Sequence, residues 1–167
     1  MKKPADSKLP KVSFIIPTLN ASHILPMCLL AIRGQHYPRH KVEIIIADGG
    51  STDNTLLVAK KYNAKVIKNP EVLHEHGKSR ASRIAQGDIL FYTDADNILA
   101  HPNWLNLMVQ PYMDNPNIMG FLPQTIAAPD SNSLDRYLGH LFTDPFTWFI
   151  YCPAANPLDY NLVYTPI

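Results

Sequence analysis

Charge of either sign is scarce on balance: fifteen Lys and Arg against fourteen Asp and Glu leave a formal net charge of +1 over 167 residues. Such a balance provides no electrostatic footprint for nucleic acid and no polybasic patch for a membrane. Only two cysteines occur, Cys28 and Cys152, far apart and without C-x-x-C or Cys/His spacing. That argues against a disulfide scaffold or structural zinc and fits a reducing compartment. No apolar run approaches the roughly 18 residues that cross a bilayer, and the Met1-Lys2-Lys3-Pro4 start has no apolar core behind it, so a signal peptide is not expected. The expected location is the cytoplasm, with association at the cytoplasmic membrane surface left open. G-x-G-x-x-G and G-x-x-x-x-G-K-[ST] are both missing, which argues against a dinucleotide fold or a P-loop NTPase. Any phosphate must then be held by metal and side chains.

What is present reads as an ordinary globular composition, 46% hydrophobic, with fifteen prolines that cluster after residue 100 and predict a loop-rich second half. Met1 to Pro10 reads as a disordered lead-in. Val12 to Ile16 is a β-branched apolar run ended by Pro17 and predicts the first strand. A helix follows, N-capped by Asn20 or Ser22, with Ile24, Leu25, Cys28, Leu29 and Ile32 at helical spacing up to Gly34 and with Pro26 in its first turn. Val42 to Ala47 predicts a second buried strand, Leu56 to Lys60 a helix capped by Thr52 or Asp53, and Ala64 to Ile67 a short third strand. Pro70 to Gly77 reads as a His-bearing loop, Lys78 to Gln86 as a basic helix and Ile89 to Tyr92 as a fourth strand. Alternation of this kind implies an α/β fold with a Rossmann-like, mainly parallel sheet flanked by helices.

The chemistry concentrates where strands end. Asp94 and Asp96 follow the fourth strand, where open α/β sheets bind ligands. Two carboxylates at i and i+2 suit a hard cation such as Mg²⁺ or Mn²⁺. In isolation the pattern is short, and an Asp-rich turn is the simpler reading. Asp48 precedes Gly49 and Gly50 at the end of the second strand, so a ligand contact and a plain turn are both open. Ser51, Thr52 and Asp53 read as capping residues. His74 and His76 lack further ligand spacing and read as solvated surface, and His101 as a loop or capping residue. Lys78, Arg80 and Arg83 include i and i+3 neighbours that either form a solvated face or meet a diphosphate.

Three segments taken together, Ser13 to Asn20, Glu43 to Thr55 and Gly87 to Asp96, resemble the family 2 glycosyltransferases of the GT-A fold. The resemblance covers residues 11 to 125. It implies transfer of a sugar from a nucleoside diphosphate donor, usually with inversion, to a saccharide or lipid-linked acceptor. It places Pro17, Thr18 and Asn20 along the nucleoside, Asp48 on the base, and Asp94, Ala95 and Asp96 at the ribose and metal region. Asp94 and Asp96 are the implied ligands of Mg²⁺ or Mn²⁺ on the diphosphate, and Lys78, Arg80 or Arg83 add donor contacts. Uridine is the base most common in the family. The chain departs from the pattern at Gly49, where a second aspartate is common, and in its short basic helix.

The catalytic base expected downstream of the D-x-D is not identified, since Asp114, Asp130, Asp135, Asp144 and Asp159 stand singly. The expectation is therefore a lead-in at 1–10, a nucleotide-sugar-binding core at 11–125 and a partial acceptor-side segment at 126–167. After Asn97, His101 to Leu105 opens a predicted helix that runs through Leu107, Met108 and Val109, Ile118 to Leu122 predicts a strand and Leu134 to Phe142 a helix. Pro145 to Ile167 is aromatic-rich. The alternative to an enzyme is a module that holds a nucleotide sugar without turnover. A nucleotidyltransferase would need a Gly-rich basic loop after the first strand, and Pro17-Thr18-Leu19-Asn20 is not one.

Overall fold

A computed structural model of the chain describes residues 8–120 apart from 116 and 119. Its elements run β1 (Val12–Thr18), α1 (Leu25–Arg33), a short 3₁₀ turn (Arg39–Lys41), β2 (Val42–Asp48), α2 (Thr55–Lys61), β3 (Lys65–Lys68), α3 (His74–Ser82), β4 (Ile89–Tyr92) and α4 (Trp104–Asp114). All lie in a compact unit, Met1–Asp114; a second unit, Asn115–Ile167, falls almost wholly outside the described residues. Neither Ile118 nor Gly120 carries a strand. Met119, Phe121 and Leu122, the helix expected over 134–142 and the aromatic segment from 145 onward lie outside the described residues.

The four strands form one parallel sheet in the order β3-β2-β1-β4. Every residue of β1 is buried, as expected of a central strand covered on both faces. The strand runs through Pro17, which pairs with Ala47, rather than ending before it. Pro17 is tolerated because the β4 ladder stops at Ile15, whose carbonyl takes the Thr93 N–H at 3.1 Å, so no partner waits where the proline nitrogen lacks its hydrogen.

Helix α1 buries Leu25, Cys28, Leu29 and Ile32, starts with proline in its first turn and stops at Gly34. Its N-cap position is Ile24, with no side-chain cap; Asn20 and Ser22, expected to cap it, are bonded elsewhere. Helix α3 begins at His74, four residues before the expected start, so both histidines sit in its first turn. It packs through small residues. Ala81 joins Ile15, Ile45 and Ala47 in one buried cluster, and a Cβ on Gly77 would lie 3.1 Å from that of Ala47 and 2.9 Å from Asn69 Nδ2.

Strand β4 is fixed to β1 by polar contacts before its apolar residues pair. The Lys11 N–H donates to Asp88 Oδ2 at 2.8 Å, and the Asp88 N–H returns to the Lys11 carbonyl at 2.8 Å. Ser13, fully buried, donates to Glu43 Oε2 at 2.5 Å and accepts from Gly87 N–H at 2.9 Å. Phe14 stacks on Phe91 at 5.2 Å, and Phe91 meets Trp104 at 5.6 Å, which joins β1, β4 and α4 in one aromatic row.

Candidate functional site

Strand order reverses between β1 and β4, and this is the point in an open parallel sheet where a crevice forms beyond the carboxyl ends. The loops after β1, β2 and β4 meet that edge. They carry Thr18 to Asn20, Asp48 to Asp53, and Asp94 to Asp96.

The first two loops are zipped by side-chain to backbone bonds. Asn20 adopts a left-handed backbone with φ of 49°, a conformation asparagine tolerates better than most residues. Its Oδ1 accepts from the Thr52 N–H at 2.9 Å, while its own N–H reaches Ser51 Oγ at 2.9 Å. Ser22 N–H donates to Asp53 Oδ2 at 3.0 Å, and the Ala21 N–H donates to Thr55 Oγ1 at 2.8 Å. Asp53 Oδ1 accepts the Thr55 N–H at 2.9 Å and so opens α2 one residue before Asn54, the formal N-cap. The Thr55 hydroxyl, then the Ser22 contacts, hold the Asp53 carboxyl well below the usual carboxylate range. Asp53's contribution to this closure is therefore complete above the ordinary aspartate range and fades as pH falls through its lowered value.

Thr55 is fully buried, and replacing it with valine keeps the shape but strands the Ala21 N–H. Thr55→Val should lower stability by about 1–3 kcal/mol, read as a drop in the urea midpoint with unchanged slope. A loss below about 0.5 kcal/mol, the range of an ordinary surface change, would show that the zipper is slack.

Asp48 is 7% exposed and its carboxylate is already engaged. Oδ2 accepts from the Gly50 and Ser51 N–H groups at 3.0 and 2.9 Å, and Oδ1 from the Ser51 and Thr18 hydroxyls at 2.5 and 3.2 Å. Gly50 supplies the turn with φ of 96°, and a Cβ there would meet nothing within 4 Å. Four bonds match the acceptor capacity of a carboxylate, so the turn role is filled in full. Only the two hydroxyls can rotate away for a ligand.

After β4 the chain turns, with the Asn97 N–H donating to the Asp94 carbonyl at 3.2 Å. Ala95 is buried beneath this turn, Asp94 is partly buried and Asp96 is exposed. Asp94 Oδ1 is screened from solvent and accepts no hydrogen bond; its nearest cation is Lys78 Nζ, at 3.7 Å. The Asp96 side chain makes no hydrogen bond or ion pair among the described residues. Both carboxylates act on Cys28, whose thiol donates to the Asp94 carbonyl at 3.8 Å. Burial, then Asp96 and Asp94, push that thiol up to about 12. The two acids thus share one neighbourhood.

Helix α3 divides the three expected basic contacts. Lys78 faces Asp94, and Ser82, one turn on, meets the Tyr92 hydroxyl at 2.9 Å, so this side of α3 looks toward β4. Arg80 and Arg83 lie on the other side, lining a cleft with Ile67 and Lys68 of β3. Arg80 is gripped at both ends by Glu71, at 3.1 and 2.8 Å. The two arginines are therefore not brought to the carboxylate loop: β4 and β3 are the sheet's opposite edges, three strand spacings or about 14 Å apart. His101 Nδ1 accepts the Asn103 N–H at 3.1 Å at the head of α4, a capping role. Among the described residues no group of three His, Cys, Asp or Glu side chains converges as a metal cage, His74 and His76 included. The sequence reading missed the interloop zipper; the signal available was an asparagine just after a strand, where left-handed backbone is common.

A divalent cation fits this loop. Asp94 presents a screened oxygen without a donor and Asp96 a second, unpaired carboxylate, both hard ligands that leave positions for phosphate and water.

Comparison with known proteins shows the family. Residues 13–158 match the sequence model of Glycosyl transferase family 2. The glycosyltransferase AglE of Haloferax volcanii is 36% identical over 106 residues, covering 59% of this chain and 34% of that protein. The mannosyltransferase PcManGT of Pyrobaculum calidifontis, solved with GDP-Man and Mn²⁺, superposes with a TM-score of 0.53 at 29% identity, over 60% of this chain and 31% of that one. Glucosyl-3-phosphoglycerate synthase of Mycobacterium tuberculosis, solved with Mn²⁺, UDP and glucosyl-3-phosphoglycerate, gives 0.52 at 26%, over 65% and 41%. The chain spans about a third of the length of AglE and of two other curated relatives, and about a sixth of some others. With its parallel GT-A sheet and three loops meeting at the β1/β4 switch point, the chain belongs to glycosyl transferase family 2.

Proposed function

We propose that residues 11–125 form the donor-binding part of a glycosyltransferase that takes a nucleoside diphosphate sugar, a UDP-sugar first, with Mg²⁺ or Mn²⁺. The observation that carries this reading is Asp94 Oδ1, screened from water and without a donor at the switch point, beside an unpaired Asp96. In this reading Asp94 and Asp96 hold the cation, and Ala95 sets their turn. When bound, the cation neutralises charge that develops on the departing diphosphate. Lys78 is close enough to Asp94 to transfer its charge to a phosphate once the carboxylate is otherwise engaged. Pro17, Thr18 and Asn20 line the nucleoside. Asp48 receives a base N–H in place of the rotating Ser51 or Thr18 hydroxyl. Arg80 and Arg83 are left out of this assignment.

The transfer proposed is an inverting displacement: the acceptor oxygen bonds to the anomeric carbon as the bond to the diphosphate breaks, and a carboxylate takes the acceptor proton. That base is assigned to none of the described acids. Saccharide and lipid-linked acceptors both suit the reading. Titration of the chain with UDP and with GDP, each in Mn²⁺ and then in EDTA, tests it. Binding that requires Mn²⁺ is expected, with UDP preferred. Equal heats in EDTA would remove the cation, and no heat with either nucleotide would remove the donor site. Binding without transfer by the complete protein would favour the non-catalytic module.

A further inference from the structure

The net charge of +1 conceals a local excess: seven of the fifteen Lys and Arg fall between residues 60 and 84, against two Glu. Of these, Lys78 faces Asp94, while the fold brings Lys65, Lys68, Arg80 and Arg83 to the β3 edge of the sheet. There Ile67, Lys68, Arg80, Arg83 and Ile84 line an open cleft of about 400 Å³. Of the two acids, Glu71 is taken up by Arg80. Lys68 and Arg83 make no ion pair among the described residues, and both are exposed. Lys65, two residues before Ile67 on β3 and so on the same face of the strand, adds charge to this side. Apolar surface lies among these cations, with Ile84 36% exposed beside Ile67.

We propose that this edge docks on an anionic phospholipid surface. Long basic side chains around exposed aliphatic residues match a headgroup layer, where stems enter the interface and charges meet phosphate. Charge complementarity decides between occupants. A second copy of the chain would bring lysine against lysine across the open strand edge. A single soluble phosphate would call for donors converging in a closed site, whereas here they spread along an open flank. The proposal does not rest on the donor-site reading, because the cleft and the Asp94 loop lie at opposite edges of the sheet.

Co-sedimentation of the chain with phosphatidylcholine vesicles, with and without phosphatidylglycerol, provides the test. Partition onto the anionic vesicles alone is expected, weakening as salt rises. Each cation removed should reduce it about fivefold, so Lys68→Gln with Arg83→Gln should reduce it about 25-fold. The thermal midpoint should stay unchanged, since both side chains are exposed. Asp96→Ala should partition as the unaltered chain does, which separates this outcome from failure of the donor site. Equal binding to neutral vesicles, full binding by the double variant, or absence of binding would each overturn the proposal. Release by inorganic pyrophosphate, with phosphatidylglycerol unable to compete, would instead identify a soluble-anion site and overturn the membrane assignment.

Discussion

Asp96→Ala should abolish Mn²⁺-dependent UDP binding while leaving the protein folded. Asp96 is exposed and makes no hydrogen bond or ion pair among the described residues, so its truncation removes no packing. Surface changes of that kind stay within about ±0.5 kcal/mol of stability. The site fares differently, because the described residues offer two carboxylates and no third His, Cys, Asp or Glu to complete a cage. Losing one of two ligands should exceed the 10–100-fold loss typical of second-layer partners around a metal, so at least about 100-fold is expected. Asp94→Asn provides the companion measurement. It keeps the side-chain volume, loses the charge and releases Lys78 from its 3.7 Å partner. The two variants should fail alike in Mn²⁺ and behave as the unaltered chain does in EDTA. Unchanged UDP affinity for Asp96→Ala with Mn²⁺ present would sink the metal assignment.

Gly87→Ala should be the most destabilising single methyl in the described chain. A Cβ there would lie 2.5 Å from the Ser13 nitrogen, 2.7 Å from its Oγ and 2.8 Å from the Val12 carbonyl carbon. Two of these three atoms are backbone of the central strand, which is buried along its whole length and has no room to retreat. Strand β4 must move away from β1 instead, stretching the Gly87–Ser13 bond and the ladder behind it. Overpacking costs typically 1–3 kcal/mol, and with backbone on both sides the upper end, about 3 kcal/mol, is expected. Against a total of about 5–15 kcal/mol that is a large fraction. Urea unfolding reads it directly, and a change under about 0.5 kcal/mol would show that the β1/β4 seam yields easily. Because β4 delivers Asp94, the folded fraction of this variant should also bind UDP more weakly.

Strands β1 and β2 were legible in the sequence because a strand buried on both faces reads as an unbroken apolar run, whereas β4, only half-buried, was marked by its short apolar and aromatic run between Gly87-Asp88 and a polar cluster. Helix α1 was legible because Leu25, Cys28, Leu29 and Ile32 mark one face at helical spacing. Helix α3 was placed four residues late, and the reason is physical. Its inward face is Gly77 and Ala81, whose contribution is closeness of approach and not hydrophobic bulk, so no apolar period marks it. The carboxylate loop could be placed at a strand end from sequence, and with it the crevice. Which edge of the sheet each basic residue of α3 serves could not be read: spacing shows that Arg80 and Arg83 share a face, and only packing against β3 shows where that face points. Similarly, Ser51 to Asp53 read as local caps, whereas four of their bonds run across to Asn20 and Ser22, about thirty residues away.

The strand order also constrains how the chain assembles. Val12 pairs with Val42 on one side and with Ile89 on the other, so the central strand acquires its near neighbour through a short loop of chain and its far one through a much longer closure. Long closures are entropically costly and slow. During synthesis from the amino end, β1, α1 and β2 can associate while β4 is still inside the ribosome. The Asp94 loop follows β4, so the crevice is completed by the last of the described strands, and the Asn20–Thr52 zipper needs none of the chain beyond the first two strands and the loop after them. Under the proposed reading, a nascent chain at that stage would lack the loop assigned to hold the donor.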